Sequence, residues 1–236
     1  MENTMGLPKI KQPVFTMTLP STKKAVRYRP FTVAEEKLVL IAKEGDLKDT
    51  INVYKQIINN CCLDQIDVDK MASFDIEYFF INIRAKSVSN IIEATIKDHD
   101  DGATYPITID LDKIKVTESK HSNNIKLTDS IGVVLRYPTF EALTTIETTS
   151  VGQENKVMSL MASCIEQIYE GSEVYEVSNY TRSELEEFVS SLGMKELGLI
   201  KDFIEDMPKV YVDVTYKTSA GKEKSIKLEG LQSFFV

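Results

Sequence analysis

The chain has no tryptophan, and only two histidines and three cysteines in 236 residues. Losing the indole removes the most favourable stacking platform for sugars or bases. His99 and His121 both sit in polar, turn-like stretches, so a Ser-His or Cys-His nucleophile pair is not expected. An odd set of cysteines, two of them adjacent (Cys61 and Cys62), argues against a disulfide framework and for a reducing cytoplasm. They lack CxxC spacing and a neighbouring histidine, so they read as core thiols and not as zinc ligands. No GxxxxGK[ST] loop, no GxGxxG after a strand and no GxSxG elbow occurs. No apolar run approaches the ~20 residues that cross a bilayer. Residues 1–12 are polar, and no secretory signal is expected there. Internal repeats, low-complexity tracts and Pro/Gly-rich linkers are likewise missing.

Charge is plentiful. Thirty-six acidic residues outnumber 28 basic ones, giving a formal net charge of −8. That balance disfavours broad attachment to nucleic-acid backbones or anionic lipid. The small basic group Lys23, Lys24, Arg27 and Arg29 reads as the solvated face of a hairpin. A glycosidase needs two carboxylates, a test that so acidic a chain passes trivially. Most of its carboxylates fall on polar helix faces or in turns. No catalytic, cofactor-binding or metal-ligating residue is assigned, no cofactor is implied, and enzymatic activity is not expected.

Periodicity gives the organisation. Val14–Leu19 alternates as a strand, Pro20-Ser-Thr-Lys supplies a turn and 25–31 returns. Thr32-Val-Ala-Glu35 is a capping box for a helix through Leu38, Ile41 and Ala42, which Gly45 ends. Leu47, Ile51, Tyr54, Ile58 and Cys61 form one apolar stripe. Residues 71–85 are apolar around so much of their circumference that the helix is expected to be central. The period changes at residue 90. Residues 92–96 and 104–109 alternate about an Asp-Gly turn, and 111–116 and 125–127 add candidate strands. That turn is not a calcium loop, since its glycine and twelfth residue (Ile109) are out of register.

Further on, 131–137 is apolar until Pro138 stops it, and 140–146 forms a short helix. Ser150-Val-Gly-Gln153 reads as a second capping box, opening a helix with Val157, Leu160, Met161, Cys164, Ile165 and Ile168 on one face. After an acidic loop, Thr181-Arg-Ser-Glu184 is a third box with Tyr180 as hydrophobic staple. Its helix is expected to end at Gly193 as a C′ residue, and another, carrying Leu197, Ile200 and Ile204, runs to Pro208. Residues 210–217 and 225–228 make a C-terminal hairpin around Ser219-Ala-Gly221. The fold class is α+β: a helical core with β-hairpins at both termini and a small central β-rich segment. The segments are 1–89 (hairpin plus helices), 90–148 (β-rich) and 149–236 (helices plus hairpin), or one compact domain with 90–148 as an insertion. Each terminal hairpin is expected to pack on helices, and sharing one sheet is open to them.

One set of segments carries more. In order these are Leu19-Pro-Ser-Thr-Lys-Lys, Val26-Arg-Tyr-Arg-Pro-Phe, Glu35-Glu-Lys-Leu, Lys55-Gln-Ile-Ile-Asn-Asn-Cys, Phe74-Asp-Ile-Glu-Tyr-Phe and Arg84-Ala-Lys-Ser. Ile125-Lys-Leu-Thr-Asp-Ser-Ile-Gly, Leu135-Arg-Tyr-Pro-Thr and Leu228-Glu-Gly-Leu-Gln-Ser-Phe-Phe follow. As a colinear set they resemble the baseplate hub and hub-assembly proteins of T-even-type contractile-tailed bacteriophages. The resemblance implies a non-enzymatic hub subunit or hub-assembly factor that binds other hub proteins. It would act in the host cytoplasm during assembly, with the virion tail baseplate as a further location. A transient tail-assembly chaperone, absent from the mature virion, is the alternative, and a cell-wall-degrading hub enzyme ranks third. Self-association stays open; nucleic acid and a membrane span are not implied.

Arginine and aromatic residues are favoured interface anchors. Arg27, Tyr28, Arg29 and Phe31, then Arg136 and Tyr137, then Phe234 and Phe235 are therefore the candidate partner-binding residues. For Tyr28, Phe31 and Tyr137 the competing reading is the core. The apolar end 231–236 docks either on the chain itself or on a partner.

Overall fold

The computed structural model describes residues 10–42, 47–148, 152–230 and Ser233. Phe15–Thr18 (β1) and Ala25–Tyr28 (β2) form an antiparallel hairpin, followed by helices Val33–Ala42 (α1), Leu47–Cys61 (α2) and Ser73–Ser87 (α3). Ile91–Lys97 (β3) and Thr104–Asp110 (β4) make a second hairpin. Lys115–Val116 (β5) joins the sheet of the last two strands, Val210–Lys217 (β10) and Glu223–Glu229 (β11), in the order β11-β10-β5. Between β5 and β10 lie Asn124–Lys126 (β6), Ile131–Leu135 (β7), Phe140–Thr148 (α4), Gln153–Cys164 (α5), Ile165–Glu170 (β8), Glu173–Glu176 (β9), Arg182–Ser191 (α6) and Met194–Glu205 (α7). Strands β6 to β9 form one antiparallel sheet in sequence order. This is the α+β class that the periodicity predicts.

Two apolar cores result. The first gathers Met17, Val26 and Tyr28 of the N-terminal hairpin around α3, with Ile107 and Ile109 of β4 and Val210, Val212 and Val214 of β10. Helix α3 is central as expected: Phe74, Ile76, Phe79, Phe80, Ile81 and Ile83 are all buried, on every side of it. The second core packs Val133, Leu135 and Ile165 of the four-stranded sheet against Met161, Leu185, Val189, Ile200 and Phe203. The chain leaves for this second unit from β5 and returns into β10. Those two ends are clamped where the Thr117 amide donates to the Lys209 carbonyl (3.0 Å) and the Lys209 amide to Thr117 Oγ1 (2.9 Å).

Buried polar groups tie distant segments together. Asp75 in the first turn of α3 accepts both the amide (3.0 Å) and the hydroxyl of Ser21, fixing the first hairpin's turn to the helix. Asp98, at the β3–β4 turn, accepts from Tyr216 Oη (2.9 Å) and Lys224 Nζ (2.5 Å). The Lys224 bond, then one from the Asp100 amide (2.8 Å) and that of Tyr216, hold its carboxyl down at about 2.

Several local expectations need correction. The helix through Cys164 does not continue to Ile168: it passes without a linker into β8, and the expected acidic loop contains the β8–β9 hairpin, turning at Gly171 with φ +58°. Cross-strand pairing to β7 outweighs the helical spacing there. Gly152, without a side-chain cap, stands at the N-cap of α5; Ser150, like Gly45, lies outside the described residues. Gly193 is not a left-handed C′ residue but the N-cap of α7, with φ −70°. The Thr32 hydroxyl accepts from the Ala34 amide (3.3 Å), one residue short of the expected Glu35. Residues 111–113 form a 3-10 turn instead of strand, because the Asp110 side chain accepts from the Asp112 amide. The terminal hairpins belong to different sheets, although both line the first core.

Candidate functional site

The recognised N-terminal segment shows where its arginines go. The residues after α2 lie along the outer edge of β2, with the Leu63 amide on the Arg27 carbonyl (2.9 Å) and the Arg29 amide on the Cys61 carbonyl (3.0 Å). That pairing brings Asp64 to Arg27, whose Nη2 and Nε reach Asp64 Oδ1 at 2.7 and 3.1 Å. Arg29 turns the other way and pairs through Nη2 with Glu35 Oε1 (2.9 Å). Glu35 also accepts from the backbone amide and hydroxyl of Thr32 (2.8 and 2.7 Å). Burial opposes the charge, but the Arg29 and Thr32 hydrogen bonds win and hold the Glu35 carboxyl at about 2. Tyr28 is 2% exposed, with its ring 5.8 Å from both Phe15 and Phe79, and Phe31 is buried as well. This cluster therefore knits the hairpin to α1 and the end of α2, with the Arg27 guanidinium left at the surface.

Arg136 is exposed; its amide donates to the Cys164 carbonyl (2.7 Å) and its Nε to the Ser163 carbonyl (3.3 Å), satisfying the end of α5. Tyr137 is half-buried between the two cores. Phe234 and Phe235 lie outside the described residues.

Two of the cysteines and one histidine are held by packing or hydrogen bonds. Cys61 and Cys164 are fully buried, and burial pushes both thiols up to about 12, away from reactive thiolate. His121 Nδ1 sits 3.0 Å from Asp206, which also accepts from the Lys120 amide and the Ser119 hydroxyl, while His99 is an exposed turn residue. No cluster of three or more His, Cys, Asp or Glu residues that could hold a metal ion occurs among the described residues. In α3, burial pushes the Glu77 carboxyl up to about 7 and lowers the Arg84 guanidinium, whose Nη1 is buried without a hydrogen-bond partner among the described residues.

A cleft of about 360 Å³ opens between the β7–β8–β9 sheet and α6. Cross-strand register places Ile168 opposite Tyr175, and Glu170 opposite Glu173, on the sheet face toward α6. Ile131, Ile168 and Tyr175 form the floor, Leu185 and Phe188 the helical wall, and Tyr180, Glu170 and Glu184 complete the lining. The capping box at Thr181, with both reciprocal bonds made, fixes where α6 begins and so where this wall stands. None of these lining residues was singled out as a site by sequence reasoning. The available signal was Glu170-Gly-Ser-Glu173 between two Ile/Val-Tyr runs, a two-residue hairpin turn.

A second cleft, of about 640 Å³, lies where α4, α5 and α6 meet, lined by Ile146, Asn155, Lys156, Ser159, Arg182, Ser183 and Glu186. Its charges are partly spoken for, with Glu186 accepting from Arg182 Nε (3.1 Å) and Ser159 Oγ (2.5 Å).

No helix among the described residues is long and apolar enough to cross a membrane. Searches of curated proteins and of solved structures find no match. A scan against protein-family models matches residues 12–236 to the family described as T4 bacteriophage base plate protein. That match spans both cores and nearly the whole chain, and the protein belongs to the T4 bacteriophage base plate protein family.

Proposed function

We propose that this baseplate protein is a non-enzymatic subunit of the central hub, or a factor that assembles it, and that it works through contacts with other hub proteins. The family match over residues 12–236 carries the baseplate role. The hub assignment rests on the colinear segments from Leu19 to Phe235 that resemble hub and hub-assembly proteins. A non-catalytic role is supported by the way several reactive groups are used: the Cys61 and Cys164 thiols buried, His121 tied to Asp206, and the carboxylates of Glu35 and Asp98 committed to ion pairs. The protein would act in the host cytoplasm while the tail is built.

The test is a pull-down of the tagged protein from infected cells, with purified tails probed for the same chain. Co-purifying hub proteins together with presence in tails establish a structural subunit. Hub proteins in the pull-down without the chain in tails establish an assembly factor, as a transient chaperone would be. If neither sample contains a hub partner, the hub reading fails.

A further inference from the structure

We propose that the cleft between the β7–β8–β9 sheet and α6 is a docking groove for a peptide segment of another protein, one that presents an apolar side chain flanked by lysine or arginine. The inference extends the proposed contact role by naming a surface and the chemistry of its occupant. Its apolar part comes from Ile131, Ile168, Tyr175, Tyr180, Leu185 and Phe188. Tyr180 is 41% exposed, and Ile168, Tyr175 and Phe188 are half-buried, so water meets apolar surface that an inserted side chain would cover. A volume near 360 Å³ is at the small end of ligand clefts (about 300–1,000 Å³) and suits one or two large side chains, not a folded domain face.

Charge selects the occupant. Residues 165–187 carry seven acidic side chains (Glu166, Glu170, Glu173, Glu176, Glu184, Glu186, Glu187) against a single basic one, Arg182. Glu170 and Glu184 line the groove, the latter also accepting from Thr181, and Glu173 stands opposite Glu170 in register and accepts from Tyr175 Oη (2.8 Å), while the lining contains no lysine or arginine. An anionic ligand, whether nucleic acid, phosphate or an acidic peptide, would be repelled from such a rim. A cation beside an apolar anchor gains there, because complementary charge steers approach and fixes register while the buried apolar contact supplies affinity.

The full-length protein tests this directly as bait for a display library of short random peptides, with the enriched peptides remade and titrated by fluorescence anisotropy. Three variants serve as probes: Tyr180→Ala, Glu170→Lys, and Glu170→Lys combined with Glu173→Lys. All three positions are exposed, and a melting temperature taken for each variant separates lost binding from the loss of the Tyr175 contacts to Tyr180 and Glu173. The expected result is enrichment of peptides with Leu, Ile, Met or an aromatic beside Lys or Arg. Their affinity should fall about tenfold or more in the double charge reversal and about fivefold in Tyr180→Ala. Exchanging the peptide's cations for glutamate should restore binding to the reversed groove. The proposal is overturned by any of four results. These are no enrichment, enriched peptides without basic residues, titrations indifferent to all three variants, and a homodimer that the same variants dissolve, which would make the occupant a second copy. Any of these leaves the hub pull-down as it stands, and a hub-free pull-down leaves the peptide titrations as they stand, so the two readings fail separately.

Discussion

The ring of Tyr137 lies 5.1 Å from that of Phe203 and within 10° of parallel to it, while it forms a T-shaped pair with Phe74, their centroids 5.0 Å apart. Phe74 belongs to the first core and Phe203 to the second, so one side chain touches both. Its neighbourhood is further pinned where the Ser73 amide donates to the Pro138 carbonyl (3.1 Å) and Ala72 bridges Thr139. Removing the ring in Tyr137→Ala should cost about 3 kcal/mol through lost burial and lost aromatic contacts. Tyr137→Phe keeps both contacts and should stay within about 1 kcal/mol of wild type. Calorimetry would read the coupling: a single transition in wild type, broadened or split in Tyr137→Ala.

Glu77 makes stability fall as pH rises from mildly acidic to neutral. Its folded-state carboxyl, raised by burial to about 7, binds a proton more tightly than in the unfolded chain. Stability from this group is therefore full below the unfolded value near 4.5 and declines as pH rises through about 7. A Glu77→Gln variant should lose that decline and gain up to about 3 kcal/mol over wild type at pH 8, with little difference at pH 4. Urea unfolding at the two pH values measures it; equal offsets at both would contradict the assignment.

Glu35 has the opposite sign. Its carboxyl is held at about 2 in the fold, so the stability it contributes is present above the unfolded value and disappears as pH falls from 4.5 toward 2. Glu35→Gln leaves the half-buried Arg29 guanidinium with a weaker acceptor and should cost about 2 kcal/mol at pH 7. At pH 2 the variant and wild type should converge. Thermal melts across that range give the comparison.

Gly132 is buried in β7 directly opposite Tyr169 of β8, and any Cβ at position 132 would collide with that ring and its hydroxyl. The hydroxyl is anchored by donating to Asn124 Oδ1 (2.9 Å), which limits its escape. Gly132→Ala should destabilise by about 1–3 kcal/mol. Combining it with Tyr169→Ala should cost less than the sum of the two single changes, the signature of direct contact in a double-mutant cycle.

Much of this architecture was legible along the chain because it is locally encoded. The Thr181 capping box forms as its spacing requires, the apolar circumference read over residues 71–85 does mark a central helix, and the alternation from Val210 to Tyr216 does bury Val210, Val212, Val214 and Tyr216. The failures come where local and distant preferences disagree. Ile165 and Ile168 continue a helical stripe from Met161, yet strand pairing with Val133 and Leu135 captures them. Long-range polar pairs had no local signature at all: Asp98 with Lys224, Arg27 with Asp64, Asp75 with Ser21. The candidate anchors divide for the same reason. Spacing shows that Tyr28 and Phe31 are large and apolar, but only the packing of α3 against the hairpin shows that both are inside. The groove needed three strands and a helix to meet, and nothing along the chain announces that meeting.

The clamp between Thr117 and Lys209 has a kinetic meaning. Pairing β5 with β10 closes a loop of roughly ninety residues, which in an unstructured chain costs about 3 kcal/mol more than closing a turn of a few. Once the second core has formed, its entry and exit already lie side by side and most of that entropy is gone. An order in which the middle of the chain condenses before β10 joins β5 would avoid most of that closure cost, and φ-values higher in the second core than at the β5–β10 pairing would reveal it.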